Sequence, residues 1–102
     1  MKLTLLCAFG CAALVATFAL PAFAYNGQNL APLARIDIAQ ARNIALKAHS
    51  GRITDEELER ERGGTGLRYS FDIKSGSIIQ EVGVDAQTGR VLENKVEGAR
   101  PD

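Results

Sequence analysis

The rhythm of hydrophobic and polar positions changes several times along the chain. From Leu3 to Leu20 nearly every residue is apolar. Tyr25–Leu33 has no period and is rich in Asn, Gly and Pro, the composition of a flexible lead-in, placed at residues 25–35. Across Ile36–Gly51 the apolar residues take a helical spacing. Ile38, Ala41, Ala45 and Ala48 fall on one stripe that Ile44 widens, while Gln40, Asn43 and Lys47 fall opposite. Asp37 is a good N-cap, and Gln40 three residues later completes a capping box, with Ile36 and Ala41 placed for a hydrophobic staple. Gly51 suits a left-handed C-terminal position, and His49 falls in the last turn, where the helix dipole favours positive charge. Because the stripe is mostly alanine, the helix backbone is expected to lie close to its partner.

Downstream the period shortens to two. Leu67, Tyr69, Phe71 and Ile73 alternate with Arg68, Ser70, Asp72 and Lys74, which predicts a half-buried antiparallel strand. Ser75-Gly76-Ser77 has hairpin chemistry. Ile78–Val84 is the returning strand, with Val82 and Val84 inward and Ile79 and Glu81 on the other face. Asp85-Ala86-Gln87-Thr88-Gly89 is a second turn, where Asp can bond amides ahead of it and Gly can take positive φ. Arg90–Val96 is a last strand and Gly98–Asp102 a frayed tail. Ile53–Arg62 (ITDEELERER) stays ambiguous. Its composition favours helix and Glu56–Arg60 is an i, i+4 pair, yet Ile53 and Leu58 are its only large apolar residues.

Composition changes the picture once the first 24 residues are separated. They hold 19 of the hydrophobic residues and a single charge, Lys2. Lys2, the apolar run, the helix breaker Pro21 and the small residues of Ala22-Phe23-Ala24 together predict a secretory signal over residues 1–24, cleaved between Ala24 and Tyr25. The alternative is an uncleaved N-terminal anchor. Cys11 lacks the leucine expected three residues before a lipidated cysteine. The remaining 78 residues carry 11 basic and 12 acidic side chains. That balance argues against a nucleic-acid binder working through phosphate neutralisation. No second membrane span is expected, and the length allows one small domain. Cys7 and Cys11 both lie in the leader, so the exported chain has no thiol for a disulfide, a nucleophile or a metal.

The remaining candidates for chemistry are few. His49 is the only histidine, whereas a metal site usually needs two or three such ligands. Ser50 beside it points about 100° away on a helix and cannot serve as its nucleophile partner. The acidic run Asp55, Glu56, Glu57, Glu59 and Glu61 is interrupted by Arg60 and has no central Gly, unlike a calcium loop. As a strand it would put Glu57, Glu59 and Glu61 on one face and Arg60 and Arg62 on the other, a solvated edge to which another chain could add a strand. Tyr69 and Phe71 are core by spacing.

The layout resembles the PepSY domain, the propeptide-like domain of certain peptidases. The resemblance rests on the Ala-rich helix ending near Gly51, on Glu57-Leu58-Glu59, on Tyr69-Ser70-Phe71-Asp72-Ile73, and on Val84-Asp85-Ala86-Gln87-Thr88-Gly89-Arg90-Val91. It implies an α+β fold over residues 36–97, one amphipathic helix packed on an open antiparallel sheet of three to four strands. It also implies that residues 54–62 are a strand with Leu58 facing the helix and Glu57 and Glu59 in water. The motif residues Val84, Asp85, Ala86, Thr88, Gly89 and Val91 are expected to build a structural turn, with a shared contact surface as the alternative. The function implied is a non-enzymatic, periplasmic or secreted binding module that inhibits or regulates a peptidase, with no cofactor and no membrane contact after signal removal. The alternative is a small envelope sensor or carrier of a metal ion or small ligand, beside a membrane signalling protein. A homodimer is compatible with each.

Overall fold

Helix α1 (Ile38–Ala48) begins where the sequence places its cap: Asp37 Oδ1 accepts from Gln40 N at 2.8 Å, and Gln40 Oε1 accepts from Asp37 N at 2.9 Å. In the computed structural model, which describes residues 24–98, α1 packs across three strands of a four-stranded sheet. The strands are β1 (Arg52–Arg60), β2 (Leu67–Ser75), β3 (Ile78–Asp85) and β4 (Val91–Val96), in the order β1-β2-β3-β4 with every neighbour antiparallel. This is the expected α+β fold, at four strands. Residues 1–23 of the expected leader and 99–102 of the expected tail lie outside the described residues. Among the described residues no helix is long and apolar enough to cross a membrane.

Period-two alternation decides which residues form the core. Tyr69, Phe71, Ile73, Val82 and Val84 all bury against the helix side, where Ala41 and Ala45 have no exposed surface. Two methyl side chains let the α1 backbone approach the sheet, and the larger strand residues fill the volume. Tyr69 keeps its hydroxyl satisfied by donating to Ile36 O at 2.8 Å, and burial pushes its pKa up to about 12.

The ambiguous segment is strand β1, against its local propensity. Leu58 is 1% exposed in the core, and Glu56 on the same side takes a bidentate pair of bonds from Arg42 of α1, both 2.9 Å. Tertiary contacts of this kind outweigh the few tenths of a kcal/mol per residue by which Glu and Arg favour helix.

Two expectations are corrected. The helix stops at Ala48 with His49 as an extended C-cap, so Gly51 does not close it. Gly51 instead sits at φ 152° where the chain turns into β1, and a Cβ there would meet Lys74 O at 2.6 Å. The stretch Tyr25–Leu33, expected to lack structure, forms a 3-10 helix over Gln28–Leu33. It is anchored by Leu58 N donating to Asn26 O at 2.8 Å, and Gly27, at φ 83°, approaches the Leu58 carbonyl more closely than any side chain would permit. Arg35 N and Ile36 N then both donate to Ala86 O, which ties the segment to the far end of β3. Its apolar members Leu30, Ala31 and Ala34 pack on the core, a contact that spacing along the chain could not reveal.

Candidate functional site

The helix covers one face of the sheet; the other face has no covering element among the described residues. Register stacks carboxylates across it. Asp55 of β1 stands opposite Asp72 of β2, Asp72 opposite Glu81 of β3, and Glu81 opposite Lys95 of β4. In the next row Glu57 faces Ser70, and Gly83 faces Glu93. Glu59 and Glu61, with Glu97 just past β4, complete a depression of about 410 Å³ whose only cationic lining residue is Arg68. The volume would admit a small ligand, but the wall is nearly all polar, unlike the apolar lining usual for small-molecule pockets.

Directly opposed like charges are unfavourable, and the carboxylates respond. A carboxyl hydrogen bond with Glu59, then burial and the charges of Glu59 and Asp55, raise the Glu57 pKa. Burial, then Glu97 and Asp55, raise Asp72; burial, then Glu93, Asp72 and Glu97, raise Glu81, with Lys95 partly offsetting. Oxygens of Asp72, Glu81 and Glu97 lie within 4.8 Å of one another, the one grouping among the described residues that could hold a metal ion. His49 belongs elsewhere, at the junction of α1 and β1.

Arg68 lies flat on this face above Gly83, where a Cβ would come within 3.1 Å of its Cδ. Its guanidinium donates to Glu93 Oε1 at 3.2 Å and to Arg62 O at 3.0 Å, while its buried Nε has no partner. Gly83 is the gap in the alternation that admits this side chain.

The motif Val84–Val91 sits at the end of the same face and is built differently. Asp85, 1% exposed, accepts from Thr65 N at 2.7 Å, Thr65 Oγ1 at 2.8 Å, Gln87 N at 2.8 Å and Thr88 N at 3.1 Å. Burial alone would raise its pKa, but those donors pull it down to about 2. Ala86 is fully buried; its N–H donates to Leu67 O, and its carbonyl accepts from Arg35 N and Ile36 N. Thr88 Oγ1 accepts from Arg90 N at 3.2 Å. Gly89, at φ 80°, lies where a Cβ would come within 3.3 Å of Ile44 of α1. Val84 is core, and Val91 is 40% exposed on β4. The Gly63-Gly64-Thr65-Gly66 run reads from sequence as a turn, but its partner does not: that is Asp85, 20 positions away from Thr65.

The structure gives His49 a serine neighbour other than Ser50. Its Nε2 lies 3.4 Å from Ser75 Oγ, whose hydroxyl donates to Ser50 O at 2.6 Å. With that proton directed at a carbonyl, the contact fastens the helix exit to β2 and does not activate a nucleophile. Ala24 and Tyr25, which flank the expected cleavage point, lie beside Ile53–Glu56 of β1.

No curated protein and no solved structure matches the chain. The family model described as "Peptidase propeptide and YPEB domain" matches residues 35–95. PepSY domains are generally non-catalytic propeptide or inhibitor-like modules that often interact with peptidases, and they are typically extracellular or periplasmic. The match takes in more than half of the chain, from the residues before α1 into β4, and the chain therefore belongs to the PepSY family.

Proposed function

We propose that the chain is an exported, non-catalytic binding module that inhibits or regulates a secreted or periplasmic peptidase. In this reading residues 1–24 are a leader removed between Ala24 and Tyr25, residues 36–97 are the binding domain, and Asp85 with its turn is structural. The observation that carries the reading is the uncovered sheet face, where Glu57, Asp72 and Glu81 from three adjacent strands are held at raised pKa in a lining of ten residues of which only Arg68 is cationic. Such a surface is unfavourable when free and gains from contact with an oppositely charged one. Family membership supplies the class of partner.

The test is to add the exported protein to peptidases from the same envelope, following both substrate hydrolysis and co-elution. Reduced hydrolysis with a complex that weakens as salt rises is expected. No complex with any envelope peptidase at about 100 μM, a concentration that reveals even weak transient pairs, contradicts the reading.

A second reading, a carrier or sensor of a cation, draws on the clustering of Asp72, Glu81 and Glu97. It predicts a rise in melting temperature with added calcium or zinc that Asp72→Asn abolishes. An unchanged melting temperature removes it.

A further inference from the structure

The two edges of the sheet are finished differently. β1 is capped by the chain's own Asn26, which bridges to Glu57 and accepts from Leu58 N. β4 has no neighbour on its outer side among the described residues. Glu97 N donates to Ile79 O at 2.8 Å, and antiparallel bonding alternates from there. Lys95 and Glu93, paired with Glu81 and Gly83, therefore turn their backbone groups toward β3. Asn94 and Val96 turn theirs outward. An open row of this kind is a template for another strand. The exposed Val91 and Val96 stand at its two ends.

The sequence of β4 selects the strand that fits. Leu92-Glu93-Asn94-Lys95-Val96 reads apolar, acid, amide, base, apolar. Turned antiparallel about a two-fold axis at Asn94, it places Asn94 opposite Asn94 of a second copy, Glu93 opposite Lys95 and Leu92 opposite Val96. Both Glu93–Lys95 pairs are then of opposite charge, and the outward backbone groups of Asn94 meet each other as a hydrogen-bonded pair. Shifting the axis to Glu93 opposes two glutamates; shifting it to Lys95 opposes two lysines. Each is penalised.

We propose that β4 is a self-recognition edge, through which two copies join into one continuous eight-stranded sheet with both acidic faces on the same side. The row Asp55-Asp72-Glu81-Lys95 would continue across the axis into the partner's Glu93. The proposal does not rest on the peptidase reading: it is carried by the outward backbone edge of β4, although Glu93 also lines the acidic face.

Sedimentation of the exported chain from about 10 μM to about 1 mM, the range in which a small edge-strand interface associates, is expected to show a monomer–dimer equilibrium. Lys95, with its side chain 64% exposed, can be changed without touching the core. Lys95→Glu is expected to weaken the dimer about tenfold, and Lys95→Arg to preserve it. In a Cys7→Ser, Cys11→Ser background, Asn94→Cys is expected to give a disulfide-linked dimer under mild oxidation, since hydrogen-bonded antiparallel pairs stand at disulfide separation. Glu59→Cys, on the capped edge, is expected to stay monomeric. A chain monomeric throughout the range, a dimer unaffected by Lys95→Glu, or equal cross-linking at positions 94 and 59 would each overturn the proposal.

Discussion

Asp72 and Asp85 are the same residue type on the same face of adjacent strands, and the fold treats them in opposite ways. Asp85 is the more deeply buried, yet four donors from two loops converge on its carboxylate and hold its pKa at about 2. Asp72 keeps more contact with water, yet its partial burial, with the charges of Glu97 and Asp55 beside it, raises its pKa. Burial is therefore not what separates them. The presence of preorganised amide and hydroxyl donors makes Asp85 a structural tie, whereas their absence leaves Asp72, Glu81 and Glu57 as charges seeking a partner.

The largest effect is expected where the satisfied carboxylate is disturbed. Asp85→Asn keeps the shape but turns an NH₂ group toward donors, and it should cost about 3 kcal/mol in denaturant unfolding. A loss below about 1 kcal/mol would show that the bonds to Thr65, Gln87 and Thr88 are not what holds the two loops. Gly64→Ala should follow at about 2 kcal/mol: Gly64 has φ 56°, and a Cβ there would collide with Asp85 Oδ2.

The pH dependence separates the two carboxylate classes by sign. Asp85 titrates lower when folded than the ordinary aspartate value of 3.8, so its contribution is complete above that pH and is lost as pH falls through about 2. That contribution is about 2 kcal/mol. Glu57, Asp72 and Glu81 titrate higher when folded, so ionising them opposes folding, and the penalty fades as pH falls through their raised pKa values. Melting temperature should therefore rise from neutral to mildly acidic pH and fall steeply only below about 3.8, the unfolded pKa of Asp85. The smallest effect expected is a gain: Glu81→Gln should stabilise the chain at neutral pH by about 0.5 kcal/mol, by relieving the opposition to Asp72. Destabilisation instead would mean that Glu81 makes a favourable contact on the open face.

Much of the fold was legible because its strands alternate cleanly. Leu67 to Ile73 announced both the strand and its buried side, and Asp37 with Gln40 fixed the start of α1. β1 is not legible from its own residues, since a Glu- and Arg-rich segment with only Ile53 and Leu58 as large apolar residues leaves helix and strand open locally. Only family resemblance indicated a strand there. The segment before α1 was misread because its anchors, Leu58 and Ala86, lie tens of residues away. The acidic face was half visible. Glu57, Glu59 and Glu61 were placed on one face, but Asp72, Glu81, Glu93 and Glu97 join them only through strand register. The signal was the polar half of each alternating strand, which names a face once the pairing is known.

Carboxyl-resolved NMR titration tests the contrast most directly, because it reads each acid separately in the folded protein. Asp85 should titrate at about 2, with Asp72 above the ordinary aspartate value of 3.8 and Glu81 above the ordinary glutamate value of 4.5. If Asp85 titrates with the other carboxylates, or if Asp72 and Glu81 titrate at or below their ordinary values, the division between a tied turn and an unsatisfied acidic face is wrong.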